Sequence, residues 1–138
     1  MKDIETGPKE LRPEQIEEII DDYRPLLERI EQERKLIQEN IGADLHQHIL
    51  GNAGPLLREE NMRFMLKDSD QWMIQIQQSA NALERYFRLL DENPELSQKI
   101  KVEGWEAFPK LKESGVLNAF QLIDELESIA QGSDSQAA

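Results

Sequence analysis

The stretch that decides the fold runs from residue 13 to residue 50 and reads PEQIEEIIDDYRPLLERIEQERKLIQENIGADLHQHIL. Within it Ile16, Ile20, Tyr23, Leu27, Ile30, Ile37, Ile41, Leu45 and His48 follow one another at helical steps, with Arg34 interrupting the series and a one-residue slip between Ile37 and Leu45. Steps of three and four residues mark one side of an α-helix, close to a coiled-coil heptad, and do not fit the alternation of a half-buried strand. Pro13 suits a first helical turn, because its missing N–H would have no partner there. Glu14, Glu17 and Glu18 then complement the positive end of the helix dipole. Pro25 lies inside the pattern, and the stripe keeps its phase across it, which predicts a kink rather than a break.

Outward from this stretch, Gly51, Asn52, Gly54 and Pro55 stop the helix and form a turn. A second helix is expected from Pro55 to Glu92, strongest from Asp68 onward, where Met73, Ile76, Ala80, Leu83, Phe87 and Leu90 repeat the three-and-four spacing. Asn93-Pro94 has the chemistry of an N-cap and first residue for a third helix. Trp105, Phe108 and Leu111 lie at helical spacing between Gly104, Pro109 and Gly115, and a final helix is expected over residues 116–130.

The expected fold is therefore all-α: a long antiparallel, coiled-coil-like hairpin with two or three shorter C-terminal helices, a helical bundle completed by dimerisation. The domain organisation expected is a flexible N-terminal arm over 1–12, one helical domain over 13–131 and a disordered tail over 132–138. The dimer is expected on grounds of length. A helix of ~38 residues spans ~57 Å, against a radius of gyration of ~14 Å for a compact monomer of this size. Either Pro25 folds the first helix back or a second chain covers what the short helices leave bare.

The net charge is −12 and no third of the chain is basic. Binding to nucleic acid through released phosphate counterions is excluded on that basis, and an anionic membrane surface would repel the chain. A basic protein partner is compatible with it. There is no cysteine, no apolar leader-like segment at the start and no apolar run near ~18 residues. The expected setting is cytoplasmic, without membrane insertion.

Chemistry-bearing motifs are sparse. The chain has no cysteine nucleophile, no G-x-S-x-G, no P-loop and no G-x-G-x-x-G, so no enzyme activity and no cofactor are expected. Asp44 and His48 stand four residues apart, with Glu39 and Glu60 as the nearest further ligands, but no Glu-x-x-His occurs, and no metal site is expected. Glu14, Glu17, Glu18, Asp21 and Asp22 form an acidic face that solvation explains. His48-Ile49-Leu50-Gly51-Asn52-Ala53-Gly54 resembles the phospho-accepting motif of histidine phosphotransfer domains over fewer than ten residues, without the lysine that follows the histidine in that family. The resemblance implies His48 as an alternative phospho-acceptor on a signalling hairpin. The structural expectation beside it is that His48 closes the apolar stripe and His46 faces solvent.

The most unusual stretch is Met62, Phe64, Met65, Leu66, Trp72 and Met73, where three of the four methionines fall in twelve residues beside two aromatics. Methionine repacks easily against varied partners, and these positions cover more than one helix face. They are the expected partner-binding residues of a non-enzymatic interaction protein: an adaptor, a secretion or assembly chaperone, or a small subunit of a larger complex. Small acidic helical chaperones of bacterial secretion systems share this general character.

Overall fold

The structure, a computed structural model, describes residues 11–40, 44–114 and 118–132. Among these the fold is all-α, with no strand: α1 (Pro13–Asn40), α2 (Asp44–Ala53), α3 (Glu59–Asp68), α4 (Trp72–Glu92), α5 (Pro94–Gln98), α6 (Pro109–Glu113) and α7 (Ala119–Ala130), with a π-helical turn at Lys99–Glu103 and a 3-10 turn at Gly104–Ala107 between α5 and α6. No helix among the described residues is long and apolar enough to cross a membrane. The expected arm and tail fall mostly on residues 1–10 and 133–138, outside the described residues. Leu11 and Arg12, assigned to the arm, pack with α1 instead: Leu11 lies against the core and Arg12 bonds Gln15 through its backbone N–H.

Each expected long helix is in fact two helices that fold back. Helix one continues through Pro25 as α1, so Pro25 does not end it. α1 ends at Asn40, α2 begins at Asp44, and α2 lies back against α1. The proof is His46, whose Nε2 lies 3.1 Å from Glu33 Oε1; thirteen residues of unbroken helix would separate the two by ~20 Å. Residues 41–43, where the slip falls, lie outside the described residues.

Helix two reverses at Ser69–Gln71. Arg63 of α3 binds Glu17 at 2.6 and 2.9 Å, and Arg24 binds Glu59 at 2.5 Å, so α3 runs antiparallel to α1. An unbroken helix would carry Asp91 ~40 Å beyond Arg63, yet Asp91 meets Arg29, further along α1, at 2.9 Å. The turn has a local cause. The buried Ser69 hydroxyl accepts from the Gln71 N–H, offering the backbone an alternative to the helix ladder. Both long rods being folded, the length argument for a second chain no longer holds.

Arg34, the polar interruption of the stripe, donates from Nη2 to the Gly54 carbonyl at 2.9 Å and so ties α1 to the turn after α2. Asn93 stands at the N-cap of α5 with Pro94 at the start of the helix, as expected, but its side chain makes no capping bond: its amide donates back to the Leu89 carbonyl at 2.9 Å and closes α4. Asn118 caps α7 in a full capping box with Gln121. One continuous core joins the helices, centred on Ile20, Ile30, Ile49, Leu66, Leu83 and Leu122.

Candidate functional site

The largest departure from the sequence reading is His46. It is buried, 2% exposed, rather than facing solvent. Two contacts account for the burial. Tyr86 of α4, wholly buried, lies with its hydroxyl 2.5 Å from His46 Nδ1. Glu33 of α1, itself 4% exposed, lies at Nε2. An ionised carboxylate only accepts, so Nε2–H donates to Glu33; in the neutral imidazole Nδ1 is then the acceptor for the Tyr86 hydroxyl. The chain of contacts runs on from Glu33. Lys101, presented by the π-helical turn, approaches it at 3.2 Å, and Arg29 Nε donates to it at 3.2 Å. Arg29 also grips Asp91 through both Nη groups and lies 4.6 Å over the Phe87 ring. Burial by itself would raise the Glu33 pKa, but the bonds from His46, Lys101 and Arg29 outweigh it and hold the carboxyl at about 2. Burial and the nearby Glu33 charge push the Tyr86 phenol well above its ordinary value.

This Tyr–His–Glu series has the residue types of an acid–base relay. Its members are enclosed and satisfied by one another, and among the described residues no buried side-chain nitrogen or oxygen lacks a partner. What the arrangement does is join α1, α2, α4 and the π-helical turn at one point in the core.

His48 is half-buried. Its ring packs against Trp105, centroids 5.8 Å apart, and its Nδ1 lies 3.2 Å from the Asn52 amide nitrogen. Among the described residues no three His, Asp or Glu side chains are grouped to hold a metal ion.

The Met62–Met73 stretch divides. Met62 and Leu66 are core side chains of α3, one turn apart on its inner face. Met65 and Met73 are half-buried. Trp72 is partly exposed at the first turn of α4, and Phe64 is 77% exposed, the most of any large hydrophobic side chain described. Phe64 borders an open groove of about 630 Å³ between the start of α1 and α3. Leu11, Pro13 and Ile16 form its apolar side; Glu17, Glu60, Arg63 and Lys67 complete the lining. The sequence reading missed the α1 half of this groove, since Leu11 and Pro13 carried no signal beyond helix initiation. The signal that was available is that Phe64 stands out of phase with Met62 and Leu66, among Glu60, Arg63 and Lys67 at helical spacing.

Comparison of the chain with protein-family models, with curated proteins and with solved structures finds no match.

Proposed function

We propose that this protein is a non-enzymatic interaction module, an adaptor or small subunit, that binds a helical segment of a protein partner in the groove beside Phe64. The observation that carries the reading is a phenyl ring left 77% in water above an apolar trough. A groove between two helices accepts the apolar face of a third, with anchors at helical spacing. Aromatic side chains concentrate interface energy when a partner desolvates them. Glu17 and Glu60 in the groove lining, with Glu14, Glu18 and Asp22 exposed on α1, favour a partner segment with basic flanks. The enclosure of Glu33, His46 and Tyr86 supports a structural rather than catalytic use of the reactive side chains.

The test is affinity capture with wild type and with Phe64→Ser, followed by titration of the captured partner in purified form. Phe64→Ser and Phe64→Asp are expected to lose at least tenfold in affinity, about 1.4 kcal/mol, with melting unchanged. Binding is expected to weaken with salt. A partner whose affinity ignores both variants binds elsewhere and overturns the reading.

A further inference from the structure

From Gln71 to Leu83 the chain carries no charged residue, although 32% of the protein is charged. This is the first half of α4, and its inner face is core: Ile76, Ala80 and Leu83 are buried. Its outer face is what calls for explanation. Gln71, Gln75, Gln77, Gln78 and Asn81 are exposed there, around Ile74, which is 60% exposed. Ile74, Gln78 and Asn81 stand at i, i+4 and i+7, on one line along the helix. The next position on that line is Arg85, where charge returns and is consumed by Glu127 at 2.5 Å and by Asp124 of α7. Phe120, partly exposed, lies one turn before Asp124 on the same side of α7, which extends the line with a second apolar side chain.

We infer that this face is a self-association surface whose occupant is a second copy of the same chain. Charge is the first ground. Two molecules of net charge −12 repel over most of their surfaces, and contact costs least where neither presents a charge. A basic partner, by contrast, gains nothing from a neutral face and is drawn to the acidic ones. The second ground is self-complementarity. A two-fold interface sets a patch against itself, so its groups must pair with their own kind. A carboxylate or an ammonium cannot do so. A carboxamide can, because it carries both donor and acceptor, and Ile74 can bury against its own copy. The cores of protein interfaces are correspondingly depleted in charge. From Gln71 to Asn81 the strip runs only ~15 Å, ten steps of ~1.5 Å, so the dimer belongs to the small, weak class of interfaces.

The experiment is sedimentation equilibrium of the full chain, from about 10 to several hundred micromolar, at about 0.05 and 0.5 M sodium chloride. Wild type is expected to move from the 16.0 kDa monomer toward twice that mass as concentration rises. Association should tighten with salt, because salt screens repulsion between like-charged copies. Ile74→Glu and Gln78→Lys, opposite in sign and both at exposed positions, should each weaken it at least tenfold while far-UV circular dichroism and melting stay unchanged. Phe64→Ser should leave it intact, which separates this surface from the groove. Wild type that stays monomeric throughout overturns the inference. So does a response in which one of the two introduced charges weakens association and the other strengthens it, since that marks contact with a charged surface elsewhere on the second copy rather than with the same neutral face. Dissociation by Phe64→Ser with Ile74→Glu unaffected would move the contact to the groove and equally overturn it.

Discussion

His46 and Tyr86, forty residues apart in the chain, meet at 2.5 Å through Nδ1 and the phenol hydroxyl inside the core. Neither group has access to water there, so each depends on the other for its hydrogen bond. Tyr86→Phe keeps the ring's packing and removes the donor, leaving Nδ1 unpaired in an apolar setting. The expected cost is about 1–3 kcal/mol, the penalty for an orphaned buried polar atom, read as a lower urea midpoint with an unchanged slope. A midpoint equal to wild type would mean that water reaches His46. At high pH the same contact adds a sensitivity. The folded protein holds the phenol protonated well above its ordinary value. Stability from Tyr86 is therefore complete below about pH 10 and lost as pH rises above it, and Tyr86→Phe should remove that part of the alkaline loss.

Glu33 sets the acid limb. Its carboxyl is held at about 2 against an ordinary 4.5, so folding favours the ionised form. Its contribution is fully present above pH 4.5 and is lost as pH falls toward about 2. At about 1.4 kcal/mol per unit the effect is on the order of 3 kcal/mol. Exposed carboxylates paired with arginine, Glu17 and Glu59, are shifted the same way and steepen the same limb. Glu33→Gln should destabilise the protein at pH 7 and flatten the stability-versus-pH curve between about 5 and 2. An acid limb as steep as wild type in Glu33→Gln would assign it to the surface pairs instead.

The sequence revealed helix class and phase well, and chain reversal poorly. The stripe of α1 and the stripe of α4 are where the spacing places them, because apolar periodicity is a local property of a helix that has a core to face. The reversals were harder to see. Between α1 and α2 the stripe slips by one position, which a coiled coil also tolerates, and Gly42 interrupts the sequence there. At Asp68-Ser69-Asp70 the polar run reads as lying inside one helix from Pro55 to Glu92, strongest from Asp68 onward, whereas α3 ends at Asp68 and α4 begins at Trp72. His46 was read as exposed because it stands off the stripe of a continuous helix. Once α2 turns back on α1, the side that had faced water faces Tyr86. The polar interruption at Arg34 likewise gave no hint of its target, since Gly54 is twenty residues away. Phe64 was legible as unusual, but its groove required the start of α1 to be placed beside α3.

Two glycines three residues apart should respond oppositely to the same change. Gly51 lies within α2, and a methyl group there would meet nothing within 4 Å. Gly51→Ala reduces the freedom of the unfolded chain and should stabilise by about 0.5–1 kcal/mol. At Gly54 an added Cβ would lie 2.7 Å from the Leu50 carbonyl oxygen and 3.1 Å from Arg34 Nη2. The carbonyl is helix backbone and cannot swing aside, and the guanidinium is the group that bonds the Gly54 carbonyl. Gly54→Ala should therefore cost about 1–3 kcal/mol. Thermal melting of the two variants checks both signs. If Gly54→Ala melted at or above wild type, the turn would be looser than the structure has it.

A carboxylate placed at two hydrophobic positions tests the assignment of core and surface directly. Leu83 is fully buried in the middle of α4, and its Cδ1 lies 3.6 Å from where a Cβ on residue 54 would stand. Leu83→Asp removes apolar contact and buries a charge with no partner, so the loss should reach at least ~3 kcal/mol and leave little folded protein. Phe64 is mostly in water already, and its helix neighbours Glu60 and Lys67 are of opposite sign. Phe64→Asp adds no buried charge and gives up little packing, so its stability should stay within about 0.5 kcal/mol of wild type. Urea unfolding at pH 7 reads both. Equal losses would mean that the Phe64 ring is covered in solution, and a small loss at Leu83 would mean that the apolar stripe of α4 does not face the core.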